Sequence, residues 1–600
     1  MATMTSVTRK FTKGGSFLIE SRLPQEIFTP EDMTDQHRLI AQMAEEFAEK
    51  EIVPNLAAIE EKKPGLLREL LLKAAEAGLC ANDVPQKYGV LELDKISSTI
   101  ISEKMSRDGS WATTLGAQAG IGILPIAFFG TEAQKEKYVP KLARAEWVGA
   151  YCLSEATSAS DALNCKAKAV LQPDGKHYIL NGSKMWITNG GIADVYIVFA
   201  KVDGEKFTAF IVERGFPGVS PGAEEHKMGI RGSSTTPLNL ENVPVPAENV
   251  LGDIGKGHQI AFNILNMGRL KLGAACIGAC KYLIPQAVKW ALEREAFSRK
   301  IADFGMIKEK LGGMVVQTYA AETMSYRTAG MIDNLLEDVD QSAPTAAKQI
   351  LQALQEYAVE CSILKVVGTE TLDYVVDEAV QIFGGYGFSS DYGVERAYRD
   401  QRVNRIFEGT NEINRLLIVD MLMKRSMKGE LALMPAAQRL LDEVLSTSPP
   451  EEYENGQPLS EETKLVEGAK KAALLVAGSA VQKYLQALAD EQEVIGVLSN
   501  LVMDVYAMES VLLRARKKLG QSAAETCVVD LDAARCCIHE AADRMEFEAR
   551  RAVARIAEGD MLRSQLALLR RFLRHTPADT IELRRRVANR ALELKRYPFA

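Results

Sequence analysis

The chain has 600 residues, of which 47% are hydrophobic and 25% charged, and its formal net charge is −8 at pH 7. At about 100–200 residues per domain, this length predicts roughly three to five domains with large cores. The negative charge gives no argument for nucleic-acid binding, and no apolar run reaches the ~18 residues that a membrane-spanning helix needs.

The cysteines and histidines are dispersed and form no CxxC pair. Their spacing disfavours a zinc site, so we predict no metal, and a chain of this length does not need a disulfide framework. Residues 1–32 contain no continuous apolar segment, so we interpret them as an N-terminal extension and not as a secretory signal.

Residues 33–146 predict an N-terminal helical domain. Apolar residues follow Thr34 at helical spacing, which makes Thr34 a candidate N-cap, and Pro54 is a candidate stop for this helix. A further helix is predicted in the stretch GTEAQKEKYVPKLARAE, which starts at Gly130.

Residues 147–250 predict a middle β-domain, because runs such as VYIVFAKV and FTAFIV are rich in β-branched and aromatic side chains. Three dipeptides tolerate positive φ and therefore predict hairpin turns: Asp174-Gly175, Asn181-Gly182 and Asp203-Gly204.

Helical periodicity returns in residues 251–428 and predicts a helical bundle, in which residues 257–295 form one very long helix apart from Pro285. The acidic, proline-containing stretch 446–463 predicts a linker. Residues 464–600 predict an extra C-terminal helical domain. Its apolar residues between Val494 and Leu512 follow helical spacing and should form a buried face.

The expected fold class is therefore α+β, with an N-terminal helical domain, a middle β-domain, a helical bundle and an additional C-terminal helical domain. The chain shows no βαβ alternation and no GxGxxG motif. Both absences disfavour a nicotinamide-type dinucleotide fold.

Two motifs in the β-domain have both an ordinary and a functional interpretation. YCLSEATSASD (151–161) is either a Ser/Thr-rich loop or a polar edge for an extended ligand. KMWITNGG (184–191) is either a half-buried strand that ends in a turn or a wall for a planar ring. Trp186 and Thr188 are two residues apart and should point to the same side of that strand.

Three motifs in the bundle are equally ambiguous when each is taken alone. Arg294 and Arg299 in EREAFSRK either face a helix dipole or bind phosphate. QIFGGYGF (381–388) is either a helix C-terminal turn or a close backbone approach to a ligand. In IFEGTNEINR (406–415), Thr410 is an N-cap, and Glu408 is either solvent-facing or an active-site carboxylate on a sharp turn.

Taken together and in this order, these motifs resemble the acyl-CoA dehydrogenase family of flavoproteins over about residues 33–426. TLGAQAGIG, IVERGFPG, KMGIRGSSTTP, ILNMGR and the C-terminal extension resemble its very-long-chain branch. The resemblance implies FAD as cofactor and oxidation of long- or very-long-chain acyl-CoA to trans-2-enoyl-CoA in fatty acid β-oxidation. Electron-transfer flavoprotein is the electron acceptor that it implies.

The resemblance also assigns roles to individual residues. The implied flavin contacts are Tyr151, Leu153, Ser154, Trp186 and Thr188, and the implied further FAD contacts are Thr410 and Glu412. The implied contacts to the FAD of a neighbouring subunit are Arg294, Phe297, Gln381 and Gly385. The implied substrate contacts are Ser160 near the pantetheine and Arg269 near the CoA end.

Glu408 lies at the position of the family's catalytic base, which would remove the α-proton while hydride moves from the β-carbon to the flavin. Some members carry the base one residue before the position of Arg269. This chain has Gly268 there, so we expect Glu408 to serve. An apolar acyl tunnel would raise the pKa of this carboxyl toward neutral pH.

The substrate tunnel is expected to be long because Ala112 and Gly116 are small and lie four apart on one helix face. Close helix packing explains such residues equally well.

The chain also departs from the family pattern. Ala156 and Ala159 replace a proline and a glycine in the flavin loop, and Ala167 replaces a threonine, which leaves the conformation of the loop open.

The C-terminal domain is expected to replace the second dimer of tetrameric relatives and to leave a homodimer. Residues 563–600 contain ten basic and three acidic side chains, a balance of +7. Such a cluster suits peripheral contact with an anionic membrane, although pairing with acids elsewhere in the fold is an alternative. The expected location is the cytoplasm of a bacterium, or the mitochondrial matrix or inner membrane of a eukaryote.

Two other functions remain open from the sequence. An acyl-CoA oxidase would share the fold and the base but pass its electrons to oxygen. A non-catalytic assembly factor could use the same fold, but it would have no need of Glu408, Trp186 and Ser154.

Overall fold

The computed structural model describes residues 12–340, 343, 345–445 and 458–599. Its N-terminal domain is helical: α1 (Asp35–Phe47), α2 (Leu56–Glu60), α3 (Leu66–Glu76), α4 (Lys95–Lys104), α5 (Gly109–Gly116), α6 (Leu124–Phe129) and α7 (Glu132–Ala143). The predicted N-cap is confirmed, because the Thr34 hydroxyl accepts a hydrogen bond from His37 N. The predicted stop at Pro54 is wrong. Helix α1 ends at Phe47 in a π-helical turn, and Pro54 lies in the 3₁₀ turn after it.

The middle domain is a single twisted sheet. Its strands are β1 (Gly149–Cys152), β2 (Lys168–Leu171), β3 (His177–Thr188), β4 (Val195–Val202), β5 (Lys206–Glu213), β6 (Val219–Pro221), β7 (Thr235–Pro246) and β8 (Val250–Leu251). Their order is β6-β7-β3-β2-β4-β5-β8, and β1 pairs with β4 in parallel.

Two of the three predicted hairpin turns are confirmed: Asp174-Gly175 joins β2 to β3, and Asp203-Gly204 joins β4 to β5. The third is wrong, because Asn181-Gly182 lies inside β3 at a register shift against β7. A Cβ on Gly182 would come within 2.8 Å of the Ala167 side chain, so the glycine serves a close approach and not a turn.

The bundle is built around α8 (Gly257–Glu293), which confirms the predicted long helix; it continues through Pro285, the exception that the prediction made, and ends two residues before the predicted limit. After it come a short hairpin, β9 (Glu295–Ala296) and β10 (Arg299–Lys300), and the remaining helices: α9 (Gly305–Leu336), α10 (Ala346–Glu356), α11 (Ala358–Phe383), α12 (Gly393–Gln401) and α13 (Asn411–Met427). Helices α8 and α11 meet through two glycines, since a Cβ on Gly368 would lie 3.0 Å from Gly273 Cα.

The C-terminal region forms α14 (Leu433–Leu445), α15 (Ser460–Tyr484), α16 (Gln492–Gln521), α17 (Val528–Ile556), α18 (Gly559–Phe572) and α19 (Thr580–Leu594). Most of the predicted linker, residues 446–457, lies outside the described residues. Its predicted end at 463 is wrong because α15 begins at Ser460. The predicted apolar face of α16 is buried from Val494 to Leu512.

Helix α16 packs on the bundle through buried polar contacts. The Arg327 guanidinium donates to Glu509 at 2.6 Å, and Arg514 donates to Glu322 at 2.8 Å. Arg514 also binds Glu31 of the N-terminal extension at 2.7 Å. Because an unpaired charge in such an interior is costly, these pairs fix the C-terminal domain and the extension against one face of the bundle.

Two helical stretches, residues 109–129 and 492–521, are long and apolar enough to cross a membrane by length and composition. This corrects the expectation that no such stretch exists. In their most apolar windows, 72% and 83% of the residues are buried inside the protein, as in the core helices of a soluble domain.

The basic tail is partly neutralised within the fold. Arg584 binds Glu309 and Glu540, and Arg586 binds Asp532. Arg563, Arg585 and Arg590 each pair with an acid three residues away. Intramolecular pairing therefore holds for five of the ten basic residues, and the Arg584–Arg586 run is not a free cationic surface.

Candidate active site

A cavity of about 1970 Å³ lies where the N-terminal domain, the β-domain and the bundle meet. Most residues that the sequence predicted for one subunit's site line it: Ala112, Gly116, Tyr151, Leu153, Ser154, Ser160, Trp186, Thr188, Arg269, Glu408 and Thr410. Glu412 does not line it. The cavity exceeds the roughly 300–1,000 Å³ of an ordinary ligand pocket, so it has room for a cofactor together with a large substrate.

Glu408 lies on a sharp turn between a 3₁₀ turn (Arg402–Arg405) and α13. Its φ is +57° and that of Gly409 is +79°, so two successive residues adopt the left-handed conformation. For a non-glycine residue this backbone is strained and persists only where its surroundings enforce it. Thr410 then caps α13, as predicted, because its hydroxyl accepts from Ile413 N at 3.2 Å.

Two buried side chains hold this turn. Asn414 Nδ2 donates to the carbonyl oxygens of Gly409 at 2.8 Å and Thr410 at 3.0 Å. Arg269, assigned by resemblance to the CoA end, is buried in α8 and donates through Nε to the Glu408 carbonyl at 3.3 Å. The contacts of Arg269 therefore hold the turn that contains Glu408 and Gly409, which we call the base loop (residues 408–410).

One oxygen of the Glu408 carboxylate is enclosed, although the residue as a whole is half-buried. Its Oε2 atom is buried and has no hydrogen-bond partner among the described residues, so the solvent-facing interpretation is wrong. Burial raises the pKa of Glu408 to about 7, while the positive charges of Arg269 and Lys365 oppose that rise. A carboxyl with this pKa is ionised in half of the molecules near neutral pH, which suits a general base.

The carboxylate packs against backbone at Gly268. A Cβ on Gly268 would lie 2.7 Å from Glu408 Oε2 and 3.1 Å from Oε1. A side chain at the alternative base position would therefore have to displace the Glu408 carboxylate from the position that it holds beside Gly268.

The opposite wall comes from the β-domain. Trp186 has a φ of +60°, and the pairing of β3 with β7 shifts between Lys184 and Ile187. Despite this irregularity, Trp186 and Thr188 both line the cavity and Ile187 between them is buried, as the prediction that the two face the same side requires. The Trp186 side chain is 56% exposed into this space, and the Tyr151 hydroxyl is buried without a partner.

The loop that follows β1 is held in place by a buried ion pair that the sequence did not reveal. Glu155 binds Lys184 Nζ at 2.7 Å and accepts from the backbone N–H groups of Lys166 and Ala167. Glu155 and Ser158 also exchange backbone hydrogen bonds at 2.8 and 3.2 Å. The loop therefore has a defined conformation although Ala156 and Ala159 replace the family's proline and glycine.

These features fit FAD. A half-exposed indole offers an apolar face to a planar ring, and the orphaned Tyr151 hydroxyl and the Thr188 hydroxyl offer polar contacts at its edge. Beside this wall, the carboxylate of Glu408 is free to act on a bound substrate.

The remaining predicted residues, Arg294, Phe297, Gln381 and Gly385, do not line the cavity. Arg294 lies outside it with its guanidinium 5.5 Å from the centre of the ring of Tyr386, the residue that follows Gly385.

Sequence reasoning missed three buried residues near Glu408: Asn411, Asn414 and Lys365. Asn411 and Asn414 belong to the motif IFEGTNEINR, and their closeness to the N-cap Thr410 could have indicated a role in this turn. Lys365 belongs to α11, and nothing in the sequence connects it with Glu408, because only the packing of α11 against α13 brings the two together.

Models of one protein family match most of the chain. Family models described as the acyl-CoA dehydrogenase N-terminal, middle and C-terminal domains match residues 34–146, 150–243 and 255–423. A second model, also described as an acyl-CoA dehydrogenase C-terminal domain, matches residues 468–571.

Among known proteins, the chain is 48% identical to a probable acyl-CoA dehydrogenase of Bacillus subtilis over 98% of both chains. It is 38% identical to the human mitochondrial very long-chain specific acyl-CoA dehydrogenase, over 74% of this chain and 69% of that protein. A crystal structure of an acyl-CoA dehydrogenase complexed with FAD from Bacillus anthracis superposes with a TM-score of 0.96. It is 46% identical and covers 98% of this chain and 100% of that one.

The packing of the carboxylate on Gly268 predicts that Gly268→Ala lowers kcat/KM by about 10²-fold, because the new methyl group displaces the base from its position. FAD content and melting temperature should change little. Gly496→Ala in α16 is the matched control, since a methyl group there meets nothing within 4 Å. Full activity in Gly268→Ala would show that the position of the Glu408 carboxylate is not critical.

Proposed function

Because the chain belongs to the acyl-CoA dehydrogenase family of FAD-dependent oxidoreductases, we propose that its substrates are long- and very-long-chain acyl-CoA thioesters. It converts them to trans-2-enoyl-CoA in fatty acid β-oxidation. The observation that carries this proposal is the buried, unpartnered Oε2 atom of Glu408 at the wall of a cavity much larger than one cofactor needs.

Glu408 removes the α-proton of the thioester. Its ionised form is the active base, so the rate should rise with pH through about 7 and level off above it. The Glu408 N–H forms no hydrogen bond within the described part of the chain, so it can donate to the thioester carbonyl as enolate charge develops. FAD, when bound, accepts the hydride from the β-carbon.

The acyl chain follows helix α8. Lining residues extend along this helix from Gly268, beside the base, to Gln286, a helix length of about 27 Å at 1.5 Å per residue. On the facing side, a methyl group added at Gly116 or Gly120 would meet nothing within 4 Å. Gly116 and Gly120 therefore border open space. This favours a tunnel for a long acyl chain over the alternative explanation, that such small residues serve close helix packing.

A first test replaces the base. Glu408→Gln should lower turnover of palmitoyl-CoA by at least ~10²-fold while FAD stays bound, because the amide is nearly isosteric but cannot accept the proton. Turnover is followed by reduction of electron-transfer flavoprotein, the proposed acceptor, with oxygen uptake as the comparison.

Glu493→Gln is the control for this test, since Glu493 is exposed on α16 far from the cavity lining. Near-normal turnover in Glu408→Gln would assign the base to another residue. Rapid reoxidation by oxygen in place of the flavoprotein would favour an acyl-CoA oxidase.

A second test narrows the tunnel. Gly116→Phe should shift the preferred substrate from palmitoyl-CoA to shorter acyl-CoAs, because the ring fills space along the chain. Gly116→Ala is the matched control and should keep the wild-type chain-length profile. A wild type that is most active on butyryl-CoA and inactive on palmitoyl-CoA would contradict the long tunnel itself.

We further propose that two copies form a homodimer. Phe297, Phe388 and Met306 are 90%, 88% and 74% exposed, and Arg294 connects their two segments by contacting Tyr386. Such a concentration of apolar side chains is typical of an interaction surface. A second copy of the chain is the partner proposed for this surface. It would bring Arg294 and Phe297 to the FAD of the neighbouring subunit, which explains why both lie outside the chain's own cavity.

Light scattering of the purified protein should give the mass of two 65.9 kDa chains, since the C-terminal domain already covers a face of the bundle. Phe297→Ser combined with Phe388→Ser should yield monomers that retain less FAD. A tetramer, or a wild type that is monomeric at micromolar concentration, would refute this assembly.

A further inference from the structure

Lys365 is a buried lysine close to the base loop whose charge has no obvious role. It lies in α11 with none of its surface exposed. Its Nζ donates one hydrogen bond, to Asn411 Oδ1 at 2.6 Å, and no carboxylate of the described ranges forms a salt bridge with it. An ammonium group without a paired acid is costly to bury, so its presence here calls for an explanation.

Asn411, the partner of Lys365, ties the start of α13 to α11. Its Oδ1 also accepts from the Thr369 hydroxyl at 3.3 Å, and its Nδ2 donates to Glu370 at 3.0 Å. Glu370 in turn binds both guanidinium nitrogens of Arg415 at 2.8 and 2.9 Å. Asn411 follows Glu408 by three residues, so this network sets where the base loop ends.

Several charged or titratable groups face this region. Helix α8 supplies Arg269 and Cys276, α11 supplies Cys361, α13 supplies Glu412, and β1 supplies Tyr151. Arg269 and Lys365 are the cations that act on the Glu408 carboxylate, and burial raises the pKa of both thiols to about 12, so they stay neutral.

The two cations differ in what else they bind. Arg269 is committed to Asn266 and to the Glu408 carbonyl, whereas Lys365 has Asn411 alone. Burial lowers the pKa of Lys365 to about 8, while the acids Glu408 and Glu412 oppose this fall. Lys365 is therefore charged at neutral pH and acts on the carboxylate that must ionise.

We propose that Lys365 is a positioning residue for the base: anchored on Asn411, its ammonium group holds the base loop in register and stabilises the ionised form of the Glu408 carboxylate. This inference rests on the proposed role of Glu408.

The test compares pH profiles of kcat/KM for palmitoyl-CoA in FAD-loaded wild type, Lys365→Met and Lys365→Arg. Without the charge, the midpoint of the rising limb of the pH profile should move to a pH about one unit or more higher. Activity at pH 7 should then fall by about fivefold or more and recover at high pH. Lys365→Arg keeps the charge and should hold the limb near its wild-type position.

Lys470→Met is the matched control. Lys470 is also buried, but in α15, where it binds Glu509 and Glu467. Its loss should lower the melting temperature and leave the pH limb in place. A Lys365→Met enzyme whose rising limb coincides with the wild-type limb would overturn the proposal, because a merely structural lysine lowers activity by one factor at every pH.

A second readout does not depend on turnover. The pH at which the Glu408 carboxylic C=O infrared band disappears, isolated as wild type minus Glu408→Gln, should also rise in Lys365→Met. If that variant fails to retain FAD, Lys365→Gln is measured in the same way. The proposal is refuted if the band disappears at the same pH as in the wild type. Full activity of Glu408→Gln would instead refute the base assignment, so the two failures are distinguishable.

Discussion

The burial of one carboxylate is the constraint on which this active site depends. Glu408 has its Oε2 atom enclosed without a hydrogen-bond partner and its backbone in a left-handed conformation. Neither feature is favourable by itself. Each persists because Gly268 leaves room for the carboxylate, and because Asn414 and Arg269 bind the backbone of the turn.

The three-domain architecture follows from the needs of that site. The bundle supplies the base and its cations, the β-domain supplies the wall that contains Trp186, and the N-terminal domain supplies the small residues of the tunnel. No single domain encloses the cavity. The C-terminal domain contributes no lining residue from α15 to α19. Its buried contacts through Arg327 and Arg514 instead stabilise the bundle.

The order of domains, the long helix α8 and the cap at Thr410 could be predicted from the sequence, because they depend on local periodicity and capping chemistry. The hairpin turn predicted at Asn181-Gly182 was wrong, because a glycine that allows a close approach cannot be distinguished in the sequence from one in a hairpin turn. Glu155 and Lys365 could not be predicted as site residues. Their partners are distant along the chain, and only tertiary packing brings Glu155 to Lys184 and Lys365 to Asn411.

The most direct test of this account is an anaerobic titration of the FAD-loaded protein with palmitoyl-CoA, followed through the flavin absorption band. We expect the band to bleach at close to one equivalent per subunit, with trans-2-enoyl-CoA formed in equal amount, more completely at pH 8 than at pH 6 because Glu408 must be ionised. A flavin that binds but stays oxidised in the presence of excess palmitoyl-CoA at both pH values would contradict the account.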